Sequence, residues 1–293
     1  MNYDIRLQVE YSYAPPAVGG RHLLRVTPLT APTGQRLVAS SIVLDPVPVE
    51  RSDSHDFFGN SVVSIAYRNA HDGLKLGMSA RVHVDPPPAM LDISPDPATF
   101  RRELSGVLSL APDSPHHFGG ESPRVALSAE ITAYARESLA NASTIRGIVR
   151  DLGERIHRDF SYDKESTEVG TSPAEAFMLR RGVCQDFSHV MIAGLRGIGI
   201  PASYVSGYLR TIPPPGAERL VGADAMHAWV GAWCGNDTGW VGYDPTNATF
   251  VSESHIAVAI GRDYQDVTPI AGVLTASGKQ RTSLKVDVMP VEG

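Results

Sequence analysis

Residues 172–202 read SPAEAFMLRRGVCQDFSHVMIAGLRGIGIPA, and this stretch sets the architecture around it. Ser172 and Glu175 stand at capping-box spacing with Pro173 at the first helical position, so a short helix begins there. Arg180 and Arg181 fall where a helix C-terminus favours cations, and Gly182 is the expected stop. Phe187, Val190, Met191, Gly194 and Leu195 then recur at helical spacing up to Gly197 and Gly199, after which Pro201 opens a strand over 202–209. Cys184 therefore lies in the first turn of a second helix, offset from its apolar stripe.

That position has chemical content. The first turn carries unpaired backbone N–H groups and a partial positive charge, which favour an anionic sulfur and could also receive a developing oxyanion. A buried cysteine on a packed helix can equally be a small hydrophobe, so the thiol needs partners to count as a nucleophile. Downstream, DAMHAWVGAW and TGWVGYDPT form two strand-like segments. If the turn is Cys234-Gly235-Asn236-Asp237 with Trp233 facing Thr238, His227 lies directly opposite Asp244 on one face. A thiol, an imidazole and a carboxylate bracing that imidazole are the parts of an acyl-transfer site.

Other candidates are weaker. Adjacent His116 and His117 lie in an irregular stretch with nothing nearby to complete a ligand set, and read as solvated side chains. Gly197-Ile198-Gly199 resembles a dinucleotide fingerprint by letter but leaves a helix for a strand, the reverse of the required order. His189 reads as polar scaffolding, Asp186 as a partner of the helix N-terminus, and Cys234 as a bystander in the turn. Two cysteines cannot build a closed Cys-rich zinc site, and a disulfide between them is not expected in a chain of this size. No metal and no cofactor is expected.

The chain has 293 residues, 42% of them hydrophobic, enough for two domains of ordinary size. Its formal net charge of -6 comes from 32 acidic and 26 basic residues without basic runs, which argues against nucleic acid as a partner. No apolar stretch has the length of a membrane span or a signal peptide, so a cytoplasmic protein is expected. Tyr3, Ile5, Leu7, Val9, Tyr11 and Tyr13 alternate with polar residues, as in a half-buried strand. Further strand-like runs over 22–29, 35–44, 56–67 and 74–84, punctuated by Gly, Pro, Asn and Asp, point to an antiparallel β-sandwich. We therefore expect an α+β chain: a β-sandwich domain over 1–88, a Pro-rich linker over 89–120 and a catalytic domain over 121–293. Within the last, Ile145, Ile148, Val149, Leu152 and Ile156 mark an amphipathic helix from Ser143 to about His157, with Ser143 or Thr144 as cap.

Three segments taken together resemble the bacterial transglutaminase-like superfamily: Arg181 to His189 (RGVCQDFSH), Met226 to Val230 (MHAWV) and Gly239 to Thr246 (GWVGYDPT). The resemblance extends over about 127–264, and the leading β region looks like the N-terminal domain that accompanies this core in many bacterial members. It implies a papain-like core with Cys184 as nucleophile, His227 as general base and acid, and Asp244 as the group orienting His227. Relatives vary in the second oxyanion donor; Tyr162, in Phe160-Ser161-Tyr162, is the candidate beside the Cys184 N–H. Trp229 is a candidate substrate contact or shield on the His227 face.

The expected activity is cysteine-dependent acyl transfer on peptide or side-chain amides through a thioester, as a protease or deamidase in preference to an amine-transferring transglutaminase. A binding or scaffold protein on the same fold is the alternative from another class. A zinc site of Cys184, His227 and Asp244 would lack a ligand where acyl transfer lacks nothing.

Overall fold

A computed structural model describes residues 1–31, 34–86, 91–211, 224–275 and 279–291. In chain order its strands and helices are β1 (Asn2–Leu24), β2 (Gln35–Asp45), β3 (Glu50–His55), β4 (Ser61–Val84), α1 (Pro97–Gly106), α2 (Ala129–Asn141), α3 (Ile145–Asp159), β5 (Ser161–Tyr162), α4 (Pro173–Leu179), β6 (Arg181–Gly182) and α5 (Cys184–Gly197). They continue with β7 (Ala202–Leu209), β8 (Ala225–Trp233), β9 (Trp240–Asp244), β10 (Thr249–Phe250), β11 (His255–Gly261), α6 (Tyr264–Val267), β12 (Ile270–Leu274) and β13 (Lys279–Val291). None of the described helices is long and apolar enough to cross a membrane.

The alternation at the N-terminus does what its chemistry requires. Tyr3, Ile5, Leu7, Val9 and Tyr13 are buried while Arg6, Gln8, Glu10 and Ser12 face outward. Each such buried side chain contributes roughly 1.5–3 kcal/mol over its exposed state. The antiparallel β region is a six-stranded sheet in which β1 and β4 pair along nearly their whole length, with register shifts at Ser12/Ala17 and Val18/Gly20. The runs expected at 56–67 and 74–84 thus merge in one long strand, which starts only at Ser61, and the alternation from Tyr3 to Tyr13 merges with the run expected at 22–29, which stops at Leu24. The Asp72-Gly73 punctuation does not break β4, because Gly73 admits a close approach: a Cβ there would stand 2.7 Å from the Tyr11 carbonyl oxygen.

The C-terminus departs from the expected division at 121–293. β12 and β13 both pair with β1, from Gly20↔Leu274 and from Asn2↔Val291, so the chain returns to complete the sheet that its first residues began. Strand periodicity reports a pleated, half-buried segment but not which sheet receives it.

The second sheet has the order β10-β9-β8-β7-β11, antiparallel throughout, and α5 packs on it. Within α5 every residue from Gln185 to Arg196 is buried, which makes it the central helix of the core. The 89–120 stretch, expected as a linker, packs on the core at α1 and around 115–118, with 108–113 exposed between them: Phe100 of α1 lies 5.3 Å from Trp233, Phe118 lies 5.0 Å from Trp240, and Trp240 Nε1 donates to the Asp113 carbonyl at 2.9 Å. Its prolines initiate helical turns at Pro97 and Pro115 instead of keeping the chain extended. Residues 89 and 90 lie outside the described residues.

The two sheets are joined by side chains that imitate a strand. β11 is an edge, and Asn60 donates to the Ile260 carbonyl at 2.8 Å while accepting from the Ile260 N–H at 2.7 Å. Gln35 makes the same pair of bonds to Ala257, each at 2.8 Å. Buried backbone groups on an unpaired edge would otherwise lack partners.

Candidate active site

Cys184 opens α5. Its helix starts there because Val183 is extended and Asp186, three residues on, reaches back to accept the Val183 N–H at 2.8 Å. Asp186 also accepts from Thr167 Oγ at 2.7 Å, and burial, only partly offset by these donors, pushes its carboxyl up. Gly182 makes the turn possible, since a Cβ there would stand 2.5 Å from Asp186 Oδ2. The preceding helix α4 carries its expected capping box at Ser172 and Glu175, but its stop is Arg180, left-handed at φ 52°. The Arg180 guanidinium stacks over Phe177 at 3.8 Å, a contact that stabilises this conformation.

His227 lies in β8 and Asp244 ends β9. His227 Nε2 stands 2.7 Å from Asp244 Oδ2, with the two residues 8% and 0% exposed. They do not face each other across the ladder as the sequence reading expected. The register is displaced by two residues, with Val230↔Tyr243 and Trp233↔Trp240 paired, so the carboxylate reaches the imidazole diagonally. The cause is the turn, which runs from Gly235 to Thr238: Cys234 N–H donates to the Gly239 carbonyl, and Gly235 and Gly239 supply φ values of 102° and 67°. An even displacement keeps both side chains on one face, and the pair survives.

The Cys184 side chain is the imidazole's other neighbour, near enough for its charge to act on the ring. With Nε2 turned to Asp244, Nδ1 is the nitrogen left for the thiol. Burial lowers the His227 pKa, but Asp244 and Cys184 outweigh it and raise the value to about 10, so the imidazolium is favoured through the neutral range. For Asp244, burial is likewise overcome by donors from His227, His255 and Asn247, which hold the carboxyl well below the usual carboxylate range.

Asp244 is loaded with donors. Oδ1 accepts the Thr246 and Asn247 N–H groups at 2.9 and 3.2 Å; Oδ2 accepts Asn247 Nδ2 at 2.6 Å and faces His255 Nε2 at 3.2 Å. The sequence reading missed His255, which begins β11; the only signal was one histidine at the head of a strand-like run. His227, Asp244 and His255 offer three ligand atoms within 4.8 Å of one another, a set that could hold a metal ion. Oδ2 is already shared among three hydrogen-bonding groups, so a metal would have to displace contacts that fix the carboxylate.

The remaining candidates fall in distinct places. Tyr162 pairs with Gly182 through the short β5–β6 ladder, is 51% exposed, and has its phenol pushed up by burial and by the nearby Cys184. Trp229, a candidate substrate contact, is 3% exposed. Its ring meets His255 edge-on at 5.2 Å and sits where a Cβ on Gly207 would stand 2.4 Å from Cη2, so it packs beneath the histidines and offers a substrate almost no surface. His189 is buried and accepts the Tyr264 N–H at 3.2 Å, with burial lowering its pKa to about 4. Cys234 is a buried free thiol pushed up to about 12 by burial. His116 Nε2 meets the Val107 carbonyl at 2.8 Å and His117 Nε2 those of Leu110 and Ala111 at 3.1 Å, so the pair ties down a loop.

Known proteins resemble this chain over its whole length. Residues 127–245 match the transglutaminase-like superfamily and residues 3–85 the bacterial transglutaminase-like N-terminal region. An uncharacterized protein of Mycobacterium tuberculosis is 36% identical over 295 residues, covering 99% of this chain and 93% of the relative. One from Mycobacterium leprae is 30% identical over 283 residues, covering 95% and 94%. Among solved structures, that of "a Putative Cysteine Protease from Cytophaga hutchinsonii" superposes with a TM-score of 0.74 at 20% identity, covering 100% of this chain and 92% of that one, a likeness of fold. Taken with the α+β architecture, these matches establish that the chain belongs to the transglutaminase-like superfamily and carries its bacterial N-terminal region.

Proposed function

We propose that the protein is a cysteine acyl-transfer enzyme that hydrolyses peptide or side-chain amides, with Cys184 as nucleophile, His227 as acid and base, and Asp244 as the group that orients His227. The observation that carries this reading is the position of the imidazole: one His227 ring engages the Asp244 carboxylate at 2.7 Å and lies within electrostatic reach of Cys184 at the head of α5. Family membership and the fold shared with the Cytophaga structure are consistent with it.

In this reading Cys184 Sγ forms a bond to the amide carbonyl carbon, and the oxygen takes up the negative charge against the Cys184 N–H and the Tyr162 hydroxyl. His227 then delivers its proton to the leaving nitrogen, the C–N bond breaks, and a thioester remains. Water attacks the thioester carbonyl as His227 accepts its proton, the C–S bond breaks with Cys184 leaving as the thiolate, and the acid departs. Water as acceptor is supported by the openness of the rim: Cys184 is partly exposed and Tyr162 half-exposed, whereas amine transfer requires a thioester sheltered from water.

The test is to trap the acyl-enzyme. Mixed with a library of peptides and glutamine-containing amides, the protein should gain an acyl mass on Cys184 that hydroxylamine removes, and turnover should release acid whether or not an amine is added. A product containing the added amine would assign transamidation instead; no acyl mass on Cys184 with any amide would contradict the reading.

A further inference from the structure

Asp244 engages two imidazoles, and acyl transfer uses only one. The second belongs to His255, 6% exposed, whose Nε2 stands 3.2 Å from the same oxygen that His227 holds at 2.7 Å. The other nitrogen of this ring decides its protonation pattern. His255 Nδ1 lies 3.2 Å from the backbone nitrogen of Ser252, which can only donate, and 3.2 Å from Ser252 Oγ, whose hydroxyl can also donate to it. Nδ1 is therefore the acceptor, and the ring proton sits on Nε2, aimed at the carboxylate.

The origin of the donors gives this contact a purpose. Thr246 N–H, Asn247 N–H and Asn247 Nδ2 all come from the turn that follows Asp244, so they move with it. His255 comes from β11, separated from β9 by β8 and β7. Its ring is set against the Trp229 indole at 84° and 5.2 Å, and β11 is itself pinned by Asn60 and Gln35. The carboxylate is thus fixed from two ends of one sheet.

We propose that His255 is a positioning residue: by donating from Nε2 to Asp244 Oδ2 it fixes the carboxylate's rotamer and thereby the aim of His227 at Cys184. This rests on the reading of Cys184 and His227 given above. Removal of His255 would leave the Asp244 side chain held by its own turn and by His227 alone, with no anchor from β11, and would weaken the acid and base without touching substrate.

Two measurements on the full chain test this. Long-range ¹⁵N NMR of the ring reads the tautomer without any variant: Nδ1 unprotonated and Nε2 protonated is expected, and a proton on Nδ1 overturns the proposal. Alkylation of Cys184 by iodoacetamide from pH 5 to 9 is then compared among wild type, His227→Ala, His255→Leu and His255→Gln. Loss of one hydrogen bond to a charged group should slow His255→Leu about tenfold and move its pH profile toward that of His227→Ala. His255→Gln, which keeps an N–H donor, should recover most of the rate. If His227→Ala changes the profile while His255→Leu matches wild type, the positioning role is wrong and the function stands. If His227→Ala also matches wild type, the function reading fails first.

Discussion

Asn60, in the loop that leads into β4, and Ile260 of the core sheet exchange two hydrogen bonds, at 2.8 and 2.7 Å, so that one buried side-chain amide occupies the place of a neighbouring strand. The Asn60→Ala variant would leave the part-buried N–H and C=O of Ile260 without these partners. We expect a loss of about 2–4 kcal/mol, since each orphaned group costs roughly 1–3 kcal/mol. Urea unfolding measures this; a change below about 0.5 kcal/mol would mean that β11 is not anchored there.

Gly207 makes a steric prediction. A Cβ at this position would stand 2.3 Å from the Ile256 carbonyl oxygen and 2.4 Å from Trp229 Cη2. Neither neighbour is the free end of a flexible chain, so Gly207→Ala should destabilise by about 1–3 kcal/mol and lower Tm by several degrees. It should also disturb the packing of Trp229 under His255, and calorimetry with tryptophan fluorescence reads both effects.

The titration of the central pair fixes a pH window. The His227 pKa, raised from 6.5 to about 10 in the fold, makes a contribution that is complete below pH 6.5, erodes above it, and is gone beyond about pH 10. The Asp244 pKa, depressed from 3.8, makes a contribution that is present above that value and is lost as pH falls through the folded one. The stability gap between wild type and Asp244→Asn should therefore be widest from about pH 4 to pH 6.5 and narrow steadily toward pH 10. Thermal unfolding of both proteins across pH 4–11 checks this, and a gap that is flat above pH 6.5 would contradict it.

Tyr162 is solvent-open and pairs with the residue two before Cys184. As an oxyanion donor its hydroxyl matters only once charge develops on the substrate oxygen. Tyr162→Phe should lower kcat by about a hundredfold with little change in KM or in Tm. Equal kcat in the two proteins would remove the hydroxyl from the mechanism.

Local signals carried much of this site. The capping box at Ser172 and the glycine at 182 announced a helix beginning at Cys184, and period-two alternation placed His227 and Asp244 on one face. The ladder register was misread by two residues because the turn is Gly235 to Thr238, one residue later than the expected Cys234 to Asp237, with Gly235 and Gly239 supplying the positive φ values it needs. His255 was invisible because its contact with Asp244 crosses two intervening strands, a relation that sequence periodicity does not encode. The same limit hid the return of β12 and β13 to the N-terminal sheet: a strand's pattern shows that it is half-buried, and the partner is chosen by the tertiary fold.

The central claim is that His227, braced by Asp244, controls the reactivity of Cys184. Its most direct test is the rate of Cys184 alkylation from pH 5 to 9 in wild type and in His227→Ala, with the modified residue identified by mass spectrometry. The account predicts rapid labelling of the wild-type thiol, and in His227→Ala a rate at pH 6 lower by about tenfold or more. Superimposable profiles for the two proteins would contradict it.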